Sequence, residues 1–463
     1  MTTTTPARRR SATRTASAKK SPSTRTTAKK TAKTTQPQRS PARKPPQARQ
    51  PRSAQPSRTR RAPWAQSAAW QSPVTSYYLI GGATLLLLAL GLIMVLSASS
   101  IPSLHDGDSI TGGFRNQAIY AAVAVVGAVI ITRLPVRWIR LLAWPAMLGT
   151  LALQALLFTP FAVAAGGNAA WVYFAPGVGL QPSEFGKFGL AIWLGAVLAT
   201  KGRLLQHWGH VLFPAVLVAG MFLGTVIYSH DVGTGLILIM LVAGALWVAG
   251  VPISKFVVAG SAVVAGLAFL VISSGNRTRR VMQFLGMGGD DDPLGASMQP
   301  LRALEGLGTG GISGVGLGAS REKWLWLPAA EDDYIFAIIG EELGLLGCLL
   351  VLALFAALAV GFSRVIRRHR DPFVKITTAA IGCWILGQAM VNIAVVIGLL
   401  PVIGVPLPLL SKGGSALVTT IAALAVVLAF ARDEPGAKEA MAARRGSMRR
   451  SLAVIAAGGS GRG

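Results

Sequence analysis

Acidic side chains are scarce in this chain, 18 Asp and Glu against 45 Lys and Arg. Several fall inside or beside long apolar runs, where an ionisable group is costly without a partner or a wet cavity, so each such group is a candidate site. In "QPSEFGK", Gln181 to Lys187, Glu184 and Lys187 are three apart and share a helix face. Pro182 and Ser183 suit a helix start, and Glu184 suits the positive end of its dipole. This is either a cap with a structural ion pair or a polar wall of a substrate cavity. In "SHDVGTG", Ser229 to Gly235, Asp231 before two glycines reads as a tight reversal with an N-cap. In "FAIIGEELG", Phe336 to Gly344, a helix beginning near Asp333 would carry Glu341 about 12 Å along its axis. Gln388 and Asn392 are one turn apart and suit interhelical hydrogen bonding. The turn in "PLPLLSKGGSA", Pro406 to Ala416, is either a plain loop or a place where backbone N–H groups and Lys412 meet an anion such as a diphosphate. Finally, "GGDDDPLGASMQ", Gly288 to Gln299, gathers Asp290, Asp291 and Asp292, as a solvated turn or as the working end of an active site. No Walker motif, HExxH or nucleophile elbow competes with these groups.

Helices must position them. Hydrophobic residues make up 52% of the 463 and charged ones 14%, and several apolar runs are long enough to cross a bilayer. Backbone hydrogen bonding in lipid requires such runs to be helical. The fold expected is an all-α polytopic membrane protein of about ten transmembrane helices. The spans are approximately Tyr78–Ala98, Gly113–Thr132, Leu141–Ala165, Phe185–Thr200, Val211–Tyr228, Val232–Ala249, Phe256–Ser273, Tyr334–Phe362, Ile376–Pro401 and Ala416–Ala431. Arg133, Arg137, Arg140, Lys201, Arg203, Lys255, Arg364, Arg367, Arg368, Arg370 and Lys375 fall in loops on one side. The positive-inside rule makes that side, with both termini, cytoplasmic.

Residues 1–76 hold 18 of the cations and no Asp or Glu. This basic Thr/Ser/Pro-rich segment cannot bury enough apolar surface to order itself and is expected to be a disordered cytoplasmic tail. Anionic lipid is its simplest partner and nucleic acid an unlikely one. The membrane domain is expected over 77–432 and a C-terminal cytoplasmic tail over 433–463. Between spans seven and eight lies a long extracytoplasmic loop, 274–333, with six Lys/Arg and eight Asp/Glu. Loops of that length are functional or disordered, and Trp324, Trp326 and Leu327 suggest a segment at the membrane surface. Cys348 and Cys383 both lie in apolar runs and read as packing residues.

Taken in order, the motifs "GNAAW", "QPSEFGK", "HDVGTG", "DPLGASMQ", "GVGLGASREKWLWLP", "DYIFAIIGEELG" and "LPLLSKGGSA" resemble the SEDS family of FtsW, RodA and SpoVE-type proteins. The resemblance covers about Tyr78 to Ala431. "GLGASREKWLWLP" and the long basic N-terminal extension are closer to the division branch than to the RodA-like elongation branch.

The resemblance implies a peptidoglycan glycosyltransferase. It would polymerise lipid II at the outer membrane face during septal wall synthesis and release undecaprenyl diphosphate. Asp292 matches the family's essential aspartate, with Pro293, Gly295 and Gln299 around it. A carboxylate there can act as general base on the attacking sugar hydroxyl. Cations or a divalent metal, Mg or Mn, would stabilise the leaving phosphates. Lys187, Lys323 and Lys412 are the expected cations. Glu184, Glu341 and Glu342 are expected to line the polar cavity or to hold a cation, with Trp171, Gln299 and Ser415 at the substrate. No cofactor is certain, and no metal ligands are assigned. The implied partners are a class B penicillin-binding transpeptidase and other division proteins. Two other functions fit the same cavity: a lipid II flippase, and a non-catalytic scaffold. The chain departs from the family pattern at Ala170, His230, Ala329, Glu331, Asp332 and Lys412, which leaves activity and partners open to divergence there.

Overall fold

A computed structural model describes residues 72–105, 107–165, 168–175, 178–287 and 298–443. The chain divides into Met1–Arg60, outside the described residues, and Arg61–Gly463, which holds everything below. The expected catalytic residue, Asp292, and its neighbours Asp290 and Asp291 also lie outside the described residues.

The described chain is built from α1 Thr75–His105, α2 Gly112–Arg133, α3 Val136–Leu141, α4 Ala143–Ala155, α5 Pro182–Ala199, α6 Trp208–Tyr228 and α7 Val232–Val248. It continues with α8 Ile253–Ile272, α9 Gly275–Phe284, α10 Met298–Gly310, α11 Ile335–Arg368, α12 Pro372–Val396 and α13 Gly414–Arg432. Seven of these, α1, α2, α6, α8, α11, α12 and α13, are long and apolar enough to cross a membrane. Two shorter apolar helical stretches, Ala143–Phe158 and Val232–Val248, stand with them. The tenth expected span is α5, whose apolar run is diluted by Glu184 and Lys187. The protein is thus a multi-pass membrane protein with helices at all ten expected places.

The third span ends earlier than expected. A single 3-10 turn, Leu156–Phe158, closes it, and Thr159 is extended (φ −113°, ψ 167°) as the residue before a proline prefers to be. Residues that looked like more of the same apolar span instead form β1 Ala162–Ala165. This strand pairs antiparallel with β2 Asn168–Ala175, which pairs with β3 Val178–Leu180. The strand chain runs directly into Gln181 and so places the start of α5.

The core is built around α12 and α13, which are both deeply buried. α12 packs on α5, α7 and α11, and α13 on α2, α1 and α5. α8 is the opposite case, with 6% of its apolar stretch buried.

Two spans are broken. α6 loses helical geometry at Phe213 (φ −106°, ψ 129°), next to Pro214. The Lys201 ammonium donates to the carbonyls of His210 (2.5 Å) and Phe213 at that break. α11, expected as one long helix, opens at Gly344 (φ 66°, ψ −163°). The glycine-rich chain after α10 enters the opening. Val315 and Gly316 N–H donate to the carbonyls of Glu341 (3.0 Å) and Glu342 (3.1 Å), and Leu345 and Leu346 N–H donate to those of Gly311 (2.9 Å) and Ile312 (3.3 Å). Broken helix backbone is tolerated at membrane depth only when other groups satisfy it in this way.

The long segment before α11 therefore has structure that its weak periodicity did not reveal: two helices, α9 and α10, and an inserted loop. Of the residues expected at the membrane surface, Trp324 and Trp326 are 60% and 54% exposed, whereas Leu327 is buried at 2%.

Candidate functional site

Three polar networks sit at the end of the bundle that carries the 274–333 segment. The first is buried between α5, α7, α12 and the start of α13. Pro182 at the first turn and Glu184 near the dipole's positive end start α5 as the sequence suggests. Lys187 Nζ lies 2.7 Å from Glu184 Oε1 and donates to Gln388 Oε1 at 2.9 Å. Its ammonium also sits 5.1 Å from the Trp384 ring centre, an arrangement that attracts a cation. Gln388 is held in turn by Trp384 Nε1 (3.0 Å) and donates to the Pro406 carbonyl (2.9 Å).

One layer outward, Gln181 N–H donates to Ser415 Oγ (3.2 Å), and its amide donates to Asp231 Oδ2 (3.3 Å). Asp231 caps α7 by accepting from Thr234 N (2.9 Å), the N-cap that the sequence suggests. Asn392 donates to the carbonyls of Asp333 (2.7 Å) and Val405 (2.8 Å). Asp333 is pushed up to about 6 by burial and by the neighbouring Asp231 charge, against the pull of Arg280. Among the described residues, Ser183 Oγ, Glu184 Oε2, Asn392 Oδ1 and Tyr334 Oη are buried without a hydrogen-bond partner. Each such atom costs about 1–3 kcal/mol if nothing meets it.

The second network joins Lys323, Glu341 and Glu342, all buried. Glu341 accepts from Ser320 Oγ (2.5 Å), Arg321 N (2.8 Å) and Glu322 N (3.4 Å). Glu342 Oε1 accepts from Ser97 Oγ of α1 (2.6 Å) and Ser320 N (3.4 Å), and pairs with Lys323 Nζ at 3.4 Å. Lys323 also donates to Ser97 Oγ (3.2 Å) and the Gly318 carbonyl (2.5 Å). The partners that two deep carboxylates require are thus the amides and side chains of the 318–323 segment and Ser97.

The third network bridges the end of the 274–333 segment and the turn before α13. Lys412 Nζ meets Glu331 Oε1 at 2.5 Å, and Lys412 N–H donates to the Glu331 carbonyl at 2.9 Å. Gln117 of α2 clasps the same turn, donating to Ser411 O (3.2 Å) and accepting from Gly413 N (3.1 Å). Two departures from the family pattern, Glu331 and Lys412, therefore face each other as an ion pair. Two of the turn amides that could have met an anion, those of Lys412 and Gly413, are engaged with the Glu331 carbonyl and Gln117. Asp332 beside them is pushed up to about 7, first by burial and then by Glu331 and Asp333.

Among the expected site residues, Glu184, Lys187 and Ser415 converge through Gln181 and Gln388. Lys323, Glu341 and Glu342 form their own group, and Lys412 pairs elsewhere. Gln299 stands on α10 and donates to Pro328 O at 3.4 Å. Trp171 lies on β2, half-buried opposite Val163. Asp292 lies outside the described residues. Sequence reasoning did not find Ser97, Ser320, Arg280 or the break at Gly344. The glycines of "GTGGISGVGLG", Gly308 to Gly318, were the available signal, since glycine marks close backbone approach. Among the described residues, no group of three or more His, Cys, Asp or Glu is placed to hold a metal ion. An open apolar groove at the break in α6, lined by Leu212, Phe213, Val216, Leu217, Gly220 and Met221, belongs to none of these networks.

Residues 78–435 match the family described as "Cell cycle protein", FtsW/RodA/SpoVE. The probable peptidoglycan glycosyltransferase FtsW of Mycobacterium tuberculosis is 37% identical over 385 residues, 83% of this chain and 73% of that protein. Stage V sporulation protein E of Bacillus subtilis is 34% identical over 356 residues, 75% of this chain and 95% of that protein. In fold, a chain of a peptidoglycan synthase complex superposes with TM-score 0.63 at 24% identity, covering 76% of this chain and 97% of that one. Thermus thermophilus rod shape determining protein RodA does so with TM-score 0.56 at 23% identity, covering 77% and 97%. On the extent of these matches, the chain belongs to the FtsW/RodA/SpoVE family of multi-pass membrane proteins.

Proposed function

We propose that this protein is a peptidoglycan glycosyltransferase that polymerises lipid II. The observation that carries the reading is the buried network of Glu184, Lys187, Gln388, Asp231 and Asn392, with unmatched polar atoms, inside an apolar bundle of this family. Such a site suits a ligand with many polar atoms and a lipid tail. In the reaction, the acceptor sugar's hydroxyl oxygen forms a bond to the anomeric carbon of the donor. The bond from that carbon to the diphosphate oxygen breaks, with inversion, and the electron pair leaves with undecaprenyl diphosphate. Asp292 takes the hydroxyl proton as general base. Cations stabilise the diphosphate's growing charge. Of the three candidate lysines, Lys412 is the most accessible, with its side chain 35% exposed. Lys187 and Lys323 are buried against carboxylates and act on the ligand by shaping the field of the cavity. Trp171, Gln299 and Ser415 flank the same end of the bundle.

The class B transpeptidase partner, both termini in the cytoplasm, the septal location and the contact of the basic tail with anionic lipid belong to this proposal. The loop cations and the names of the relatives support them. A second reading, transport of the lipid-linked precursor, is favoured by the depth of the Glu184–Lys187 pair in a span. The purified protein with its cognate transpeptidase and labelled lipid II separates the two. Glycan strands are expected. Intact lipid II with the partner present and no polymer would refute the enzymatic reading and favour transport.

A further inference from the structure

Residues 311–323 make two kinds of contact with one place on α11. Their backbone fills the opening at Gly344, through the bonds from Val315, Gly316, Leu345 and Leu346. Their last six residues then wrap the Glu341 and Glu342 carboxylates. The fit depends on glycine. A Cβ on Gly314 (φ +79°) would stand 2.1 Å from the Glu342 carbonyl oxygen, and one on Gly310 would stand 1.9 Å from that of Gly340. α10 leads straight into this insert and packs along α11 through Gly306 and Gly310. At the other end of α10, Met298 follows the candidate base Asp292 by six residues in the sequence.

We propose that residues 311–323 are a plug locked into the Gly344 break, and that Glu341, acting through Ser320 and the amides of Arg321 and Glu322, is the positioning residue that holds the plug and thereby α10. Glu341 is then not a ligand of the substrate. Its three acceptor bonds are made within the protein, all to residues 320–322. Lys323, paired with Glu342 and bonded to Ser97, is the plug's counter-ion and ties it to α1. The role in turnover rests on the proposed polymerase reading, but the plug itself does not.

The test uses the full chain in nanodiscs, with and without the partner transpeptidase, and two readouts. Hydrogen exchange follows the amides of Val315, Gly316 and Arg321, and steady-state polymerisation of lipid II gives kcat and KM. Loss of a charged acceptor is expected to raise exchange at these amides by about tenfold or more in Glu341→Ala. The kcat falls by a similar factor, with KM for lipid II within about twofold. Ser320→Ala gives a smaller effect of the same kind, and the double variant is no worse than Glu341→Ala, because the two residues act as one unit. Gly314→Ala disturbs the plug without removing a charge, and should reproduce both signatures if Glu341→Ala fails to fold. A raised KM with unchanged exchange and kcat in Glu341→Ala would make Glu341 a substrate ligand and overturn the proposal. So would wild-type exchange and kcat in Gly314→Ala. If the wild type makes no polymer, the polymerase reading fails while the exchange data still decide the plug.

Discussion

The Glu184–Lys187 pair gives the sharpest stability prediction. Both side chains are almost fully enclosed, at 3% and 2% exposure, and lie 2.7 Å apart. Removing one partner of a buried ion pair leaves an uncompensated charge and typically costs about 3–5 kcal/mol. For Glu184→Ala the lower end, about 3 kcal/mol, is expected, because Lys187 keeps Gln388 Oε1 and the Trp384 ring face. Lys187→Met should cost more, since Glu184 Oε1 then has no donor and its Oε2 already has none among the described residues. The double variant Glu184→Gln/Lys187→Met removes both charges while keeping the volume. It is expected within about 1.5 kcal/mol of wild type, less than either single change. Unfolding free energies of wild type, Glu184→Gln, Lys187→Met and the double variant in one detergent give the double-mutant cycle, with Glu184→Ala measured beside them. A Glu184→Ala cost below about 0.5 kcal/mol, the range of ordinary surface changes, would refute the burial argument. A double variant as damaged as the sum of the singles would do the same.

Other perturbations address the end of the bundle that carries the 274–333 segment. Glu331→Lys and Lys412→Glu should each lower polymerisation, and the exchanged double variant should recover most of it, because the pair joins two segments. Failure of the exchange to recover activity would show that one of these residues acts on the substrate directly. Asp332 is raised from 3.8 to about 7 in the folded protein, chiefly by burial. Its contribution to stability is fully present below about pH 4 and is lost as pH rises through about 7. Melting temperature should therefore fall between pH 4 and pH 8, and the fall should be smaller in Asp332→Asn; identical pH profiles would exclude this role for Asp332.

Much of the helical frame was legible because lipid-spanning helices announce themselves by length and apolarity. The Glu184–Lys187 pair was legible because i, i+3 spacing fixes a shared face, and the Asp231 cap because Asp before two glycines has a local meaning. What escaped was non-local. The first strand of the small sheet, Ala162–Ala165, is Ala-rich and reads as the end of the third span. The break at Gly344 exists because a chain segment about thirty residues earlier supplies the bonds that the helix gives up, and backbone bonding leaves no side-chain signature beyond the glycines. Glu331 and Lys412 were each visible as departures, but their pairing across 81 positions is a property of the fold. Lys323 reads in sequence as a candidate phosphate ligand, and only the folded chain reveals Glu342 and Ser97 around it.

The most direct measurement is lipid II polymerisation by the purified full chain and its transpeptidase, comparing wild type with Asp292→Ala under identical loading. Glycan strands from the wild type and none from Asp292→Ala are the expected result. Strands of equal yield from both proteins would contradict the assignment of Asp292 as the base.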